Sequence, residues 1–395
     1  MTRPVLGILT TYPDGTSCRG PRWPQWRPFA QIIRRGSEMG VLVYVFSPDG
    51  VDWAAGRVRG WRCGPPGTPA SRWVMRTFPF PDLVYNRVPT RVAENRPWVQ
   101  RTLRLLRRRL GDRFGDKVFN PHYLNKAMLN RALAHDPAVA PHVPPTAPLQ
   151  DEQGLRRFLA RCRAVYLKPA GGSLGNHMME LAALPDGRWR LRYNRVHDRT
   201  HTAYFQTWAE AWTMVSRLRR GRFYLMQQAI PLARADGRPF DLRLLVQKRP
   251  DGTWRFTGGA ARVAGIGQIT THVPRGGRRM AMLTALEKAF GPGAEELANE
   301  VARLAEKAAA ALEEALRRRF VELSLDVGVD VRGRPWIFEL NAKPLVFDEP
   351  DIQRRRVDNL LEYVLATTGA PRATAAQPLW PPVAQPAVRS WAAQG

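Results

Sequence analysis

Leu325-Asp-Val-Gly-Val-Asp-Val-Arg-Gly-Arg-Pro-Trp-Ile-Phe-Glu-Leu-Asn341 is the stretch on which the reading of the fold turns. Two β-prone runs flank an Arg-Gly step, which predicts a hairpin. Side chains alternate along a strand. Glu339 and Asn341 therefore share one face, and Trp336, Phe338 and Leu340 share the other. With Arg332-Gly333 as a two-residue turn, Val331 pairs with Arg334 and Asp326 lies across from Glu339. Two carboxylates and an amide oxygen then converge, a hard all-oxygen set suited to Mg²⁺ with phosphates completing its shell. The competing reading is a solvated polar face. Against it, Glu339 sits in the apolar run WIFELN, where a polar group needs a partner.

Two further segments carry chemistry. In Val165-Tyr-Leu-Lys-Pro-Ala-Gly-Gly-Ser-Leu-Gly175 a strand delivers Lys168 and then the glycine-rich turn Gly171, Gly172, Ser173, Gly175. Converging backbone N–H groups beside a lysine suit an anion such as a phosphate. The lysine precedes the glycines, so this is not P-loop spacing; an ordinary glycine hairpin is the alternative. The same residues fit G-x-S-x-G, but Lys168-Pro169 suits a nucleophile elbow badly and only His272 lies well downstream. In Pro239-Phe-Asp-Leu-Arg-Leu-Leu-Val-Gln-Lys248, Asp241 and Arg243 share a face. Asp241 orienting Arg243 toward a phosphate or carboxylate is one reading, and a structural ion pair the other. Arg262 is a second candidate cation.

Around these segments the chain alternates strands and helices, an α/β pattern. Residues 4–9 and 41–46 read as buried strands with a helix over 28–39 between them; 53–81 read as irregular, 82–86 as a strand and 97–110 as an amphipathic helix. A small N-terminal α/β domain over 1–115 is expected. A second unit over 116–230 holds helices at 125–135, 153–163 and 207–220, strands at 164–168 and 222–230, and a connector over 137–148 with five prolines. A third over 231–369 holds strands at 240–249 and 253–264, a helix over 294–319, the hairpin (321–331 and 335–341) and a helix over 353–367. Residues 370–395 read as a disordered Pro/Ala-rich tail.

Composition bounds the rest. The 395 residues carry a formal charge of +27, and seven of the 61 basic residues are lysine, leaving 54 arginines. Such a skew points to compositional bias more than to a surface built for polyanions, so nucleic acid is an unlikely partner. Residues 1–115 hold 20 arginines against 7 acids. No apolar run is long enough to span a membrane, the N-terminus makes a poor signal peptide, and three spaced cysteines suggest a reducing cytoplasm. Weaker signals are His197 with His201 as metal ligands on a helix, Cys162 with a thiol pKa lowered by Arg161 and Arg163, and Trp23, Trp26 and Trp98 as base-stacking or packing residues.

Lys126, Lys168 with its glycines, Gln227-Gln228-Ala229-Ile230, Asp241-Leu-Arg243 and Asp326…Glu339-Leu-Asn341 stand in ATP-grasp order. Within that superfamily, Phe119-Asn-Pro-His-Tyr-Leu-Asn-Lys126 and Trp336-Ile-Phe-Glu-Leu-Asn-Ala-Lys-Pro344 resemble the YheC/YheD endospore coat-associated family, over residues 82–365. The resemblance implies two subdomains clasping ATP after a small N-terminal domain. It implies that Lys126 and Lys168 contact ATP phosphates, that residues 171–175 close over them, and that Gln227, Gln228, Ala229 and Ile230 line the adenine pocket and supply hinge backbone hydrogen bonds. Arg243 and Arg262 would steady the transferred phosphoryl group, and Asp326, Glu339 and Asn341 would hold Mg²⁺. The implied activity is a ligase that activates a carboxylate as an acyl-phosphate for attack by an amine or thiol. The alternative is a nucleotide-binding structural protein of the spore coat, with coat proteins as partners. Three positions depart from the family pattern: Asn176-His177 after the glycines, His272, and Gln227-Gln228 where an acidic residue is common.

Overall fold

The computed structural model describes residues 3–18, 26–64, 72–112, 116–124, 126–170, 176–195, 200–269, 271 and 276–369. Described residues up to 112, with those from 360, form one compact unit; those up to 359 form another. In the first, Val5–Leu9 lies parallel to both Leu42–Phe46 and Leu83–Asn86. Helix Trp26–Glu38 connects the first two of these strands and buries Phe29, Ile32 and Ile33. The segment expected to be irregular carries two antiparallel strands, Arg57–Arg62 and Val74–Pro79. Its strict alternation, with Arg57 and Arg59 out and Val58 and Gly60 in, is the strand signal that its Pro and Gly content obscures. The helix at 97–110 forms as Pro97–Leu110, started by Pro97 in its first turn and stopped by left-handed Gly111.

The three cysteines are free. Burial pushes the Cys162 thiol above its usual range and Cys18 up to about 11, so flanking arginines do not activate Cys162. Trp26 packs against Phe29, Trp61 and Trp73, and Trp98 lies under Arg96 and donates to the carbonyl of Gly15. Packing accounts for both; Trp23 lies outside the described residues.

The second unit holds two antiparallel sheets. The first runs His201–Phe205, Trp189–Tyr193, Met179–Ala183, Ala164–Pro169, Tyr224–Gln228, Thr146–Pro148. Helices Glu152–Leu159 and Trp208–Arg219 cover one face through Leu155, Trp208, Ala211 and Val215. A capping box of Thr207 and Glu210 starts the second helix. The proline-rich connector contributes Thr146–Pro148 as an edge strand, where a missing N–H is tolerated. His201 lies on a strand, stacked on Tyr193, and not on a helix; His197 falls outside the described residues.

The second sheet runs Arg278–Ala281, Trp254–Val263, Arg238–Lys248, Glu322–Val329, Pro335–Asn341. Its core face, including Leu242, Leu244, Val327 and Ile337, packs on helix Ala294–Leu316, which ends at left-handed Arg317. The other face carries a row of buried polar groups. At one end Arg356, from helix Pro350–Thr367, donates to both carboxylate oxygens of fully buried Glu322 at 2.8 and 2.6 Å. Removing one partner of such a pair leaves an uncompensated charge. Arg356→Met is therefore expected to lose about 3–5 kcal/mol in urea unfolding, and adding Glu322→Leu to recover most of it.

Candidate functional site

The hairpin sets the site, by a route the sequence does not suggest. The turn is longer than two residues: Asp330 N–H donates to Arg334 O at 2.9 Å, and Gly333 takes φ +85°. Asp330 holds this turn by accepting the N–H groups of Arg332 and Arg334 and the indole N–H of Trp336. It puts Val329 opposite Pro335 and Val327 opposite Ile337, one step off the expected register. A β-bulge at Phe338 then restores the offset, so Asp326 does face Glu339, with Ser324 opposite Asn341. The bulge corrects the expected faces. Ile337 and Leu340 enter the core, while Phe338 lies beneath the ammonium of Lys168, 5.5 Å from its ring centre. Gly328 makes room, since a Cβ there would sit 2.5 Å from the Phe338 ring.

Asp241 pairs with Arg262, not with Arg243. Residues two apart on a strand are separated by roughly 7 Å of backbone, whereas Asp241 and Arg262 are direct cross-strand partners. Arg262 donates to both Asp241 oxygens at 2.8 and 3.1 Å and lies 2.9 Å from Asp326. Burial disfavours its charge, but Asp241 and Asp326 outweigh that and push its pKa up. Thr271 adds a hydroxyl donated to Asp241 at 2.6 Å. Arg243, across from Asp326, lies over Phe347 at 5.3 Å. Burial pulls its pKa down, Asp326 opposes that, and Arg262 and Arg356 add to it.

Lys168 reaches the site from the first sheet. Its ammonium donates to Gln227 Oε1, and Gln227 in turn donates to Thr146 at 3.1 Å. Gln227 is therefore a buried partner of the lysine. The N–H groups of Gln228 and Ala229 bond Pro145 O and Ala164 O, and Ile230 is buried beside them. Lys126 opens helix Lys126–Ala134. Gly171, Gly172, Ser173, Gly175 and His272 fall outside the described residues.

Sequence reasoning did not single out Thr271. Gly267 O accepts from Arg192 at 2.9 Å, and Ile269 N–H donates to Thr200 at 3.2 Å. Gly267 and Ile269 thus bond residues of or beside the first sheet, and Thr271 bonds Asp241 on the second. The period-two signal that located Asp241 cannot reach a loop.

Asp326 lies across from Glu339, with Asn341 two pairs further along; Arg243 is the cross-strand partner of Asp326, Arg262 bonds it, and Lys168 lies over Phe338. Carboxylate and amide oxygens with cations nearby are the residue types that suit a hard cation and a phosphate chain. The described residues contain no cluster of three His, Cys, Asp or Glu. Asp241→Ala would leave Arg262 with one carboxylate instead of two. The expected loss is about 3 kcal/mol in urea unfolding, with Arg262→Leu added to it recovering part.

The described helices include none long and apolar enough to cross a membrane. Two proteins of Bacillus subtilis (strain 168) are similar along most of their length. Endospore coat-associated protein YheD is 26% identical over 389 residues, covering 96% of this chain and 82% of the relative. Endospore coat-associated protein YheC is 23% identical, covering 80% and 84%. Among solved structures, the ATP-grasp ligase PsnB with its minimal precursor matches with a TM-score of 0.47 and 16% identity, over 92% of this chain and 100% of that one. D-cycloserine synthetase DcsG matches at 0.48 and 15%, over 91% and 99%. A family model described as YheC/D-like ATP-grasp covers residues 115–366, well over half of the sequence, and the chain belongs to that family.

Proposed function

We propose that the chain is an ATP- and Mg²⁺-dependent ligase that activates a carboxylate as an acyl-phosphate for attack by an amine or thiol. The observation that carries this is the pairing of Asp326 with Glu339, with Asn341 two pairs further along the same strand, Arg262 and Arg243 beside Asp326, and Lys168 over the neighbouring Phe338 ring. Phosphoryl transfer needs positioning and charge neutralisation more than a protein nucleophile. Asp326, Glu339 and Asn341 would hold Mg²⁺, which would supply positive charge to offset that of the phosphates. Lys168, held at its ammonium by Gln227, is placed to bind phosphate oxygens. Arg243, not locked into the Asp241 pair, is the cation placed for the transferred group. Arg262, clamped by two carboxylates, orients Asp326. Gln227 to Ile230 border the adenine pocket in this reading, Lys126 adds a phosphate contact, and residues 171–175 cover the phosphates.

The names of the relatives support a link to the spore coat. The same site without turnover would make the chain a nucleotide-binding coat component, a reading to which the arginine-rich residues 1–115 add weight. Calorimetric titration of ATP with Mg²⁺ tests the nucleotide site. Lys168→Ala is expected to weaken binding at least tenfold, and Glu339→Ala to abolish the gain that Mg²⁺ confers. Equal binding by all three proteins would overturn the proposal. ADP release on adding pools of carboxylates and amines separates the ligase from the coat component, which would bind ATP without turnover.

A further inference from the structure

A second cationic site lies on the opposite side of the first sheet from Lys168. Four element ends meet there: the start of Met179–Ala183, the end of Trp189–Tyr193, the end of Trp208–Arg219 and the start of Tyr224–Gln228. They enclose a cavity of about 60 Å³. That is room for several waters or one small polyatomic ion. Met179, Leu218 and Tyr224 give it an apolar floor, and His177, Arg195, Arg220 and Arg222 line it with cations or a cation precursor. Among the described residues that line it, none is acidic.

Strand alternation separates this cavity from the nucleotide face. Met179 pairs with Leu167 and Tyr193, and Tyr224 with Pro169, all on the helix-covered side. Lys168 and Gln227 take the other side. The walls are locked. Tyr224 donates its hydroxyl to His177 O at 2.9 Å, Asn194 N–H donates to Met178 O at 3.1 Å, and Met178 N–H returns to Asn194 Oδ1 at 3.0 Å. Two lining residues, His177 and Arg220, hold left-handed backbone at φ 55° and 49°. Arg220 does so as the helix cap where glycine is usual, and Gly221 follows at φ 70°. The chain reverses between Arg220 and Arg222 and brings both to one opening. Strained backbone and concentrated like charge at a small rigid cavity are features that binding sites retain.

We propose that this cavity binds a small tetrahedral oxyanion, of which inorganic phosphate is the physiological example. Guanidinium groups offer paired N–H donors matched to adjacent oxyanion oxygens, and the apolar floor strengthens the attraction by excluding water. The site is independent of the proposed ligase chemistry.

Titration of inorganic phosphate into the full chain, at ionic strength held constant with chloride, tests it. Three variants accompany the wild type: Arg195→Gln/Arg220→Gln/Arg222→Gln, Lys168→Ala, and the equally charged control Arg156→Gln/Arg157→Gln/Arg161→Gln. The replaced cavity arginines are exposed, so that variant is expected to melt near the wild-type temperature. Should it unfold, the single substitutions Arg220→Gln and Arg222→Gln carry the same test. The expected result is a phosphate-binding event that the cavity variant weakens at least tenfold and that persists in Lys168→Ala, whatever that substitution does at the nucleotide site, and in the control. No binding by the wild type, equal binding by the cavity variant, or loss confined to Lys168→Ala would overturn the proposal.

Discussion

Arg262 held between Asp241 and Asp326 is the interaction on which the site depends. It joins three adjacent strands of the second sheet on the face that the core does not use. Without a cation, Asp326 and Glu339 would stand directly opposite each other as like charges, an arrangement that destabilises a strand pair. Arg262 offsets that repulsion from two strands away, while Arg243 is the direct cross-strand partner of Asp326. Thr271 extends the network into the segment that docks on the first sheet. The carboxylates are thus positioned before any ligand arrives, and the groups that position them reach both sheets.

The hairpin shows how a correct pairing can arise from two departures that cancel. A longer turn shifts the register by one residue, and the bulge at Phe338 shifts it back. Asp330 explains the first departure, because its carboxylate satisfies three N–H groups only in the longer turn. The bulge has a consequence of its own. It leaves the Phe338 ring beneath Lys168 and keeps Ile337 and Leu340 in the core.

Arginine enrichment has several local explanations here and no global one. Arg57 and Arg59 occupy the exposed positions of an alternating strand. Arg356 and Arg262 are buried partners of carboxylates. Arg220 and Arg222 converge on a cavity. The same residue type serves each place for a different reason, which is why net charge alone is a poor guide to function.

Legibility in the sequence followed the range of the interaction. Period-two alternation located the strands bearing Asp241, Arg243, Asp326 and Glu339, and hydrophobic periodicity with Pro97 and Gly111 bounded a helix almost to the residue. Strands were missed where Pro or Gly content masked the strand signal, as at 57–62 and 146–148. The partner of Asp241 was misread because proximity along one strand says nothing about the residue across from it. Local side-chain alternation by itself determined the α/β class and the faces of the strands that carry Asp241, Arg243, Asp326 and Glu339, and the resemblance of the chain's motifs, in order, pointed to the family. Only the tertiary structure decided that Arg262 is the clamp, that Gln227 holds Lys168 and that Thr271 bonds Asp241. Those contacts form between residues tens of positions apart, and strand register, not sequence spacing, sets which side chains meet.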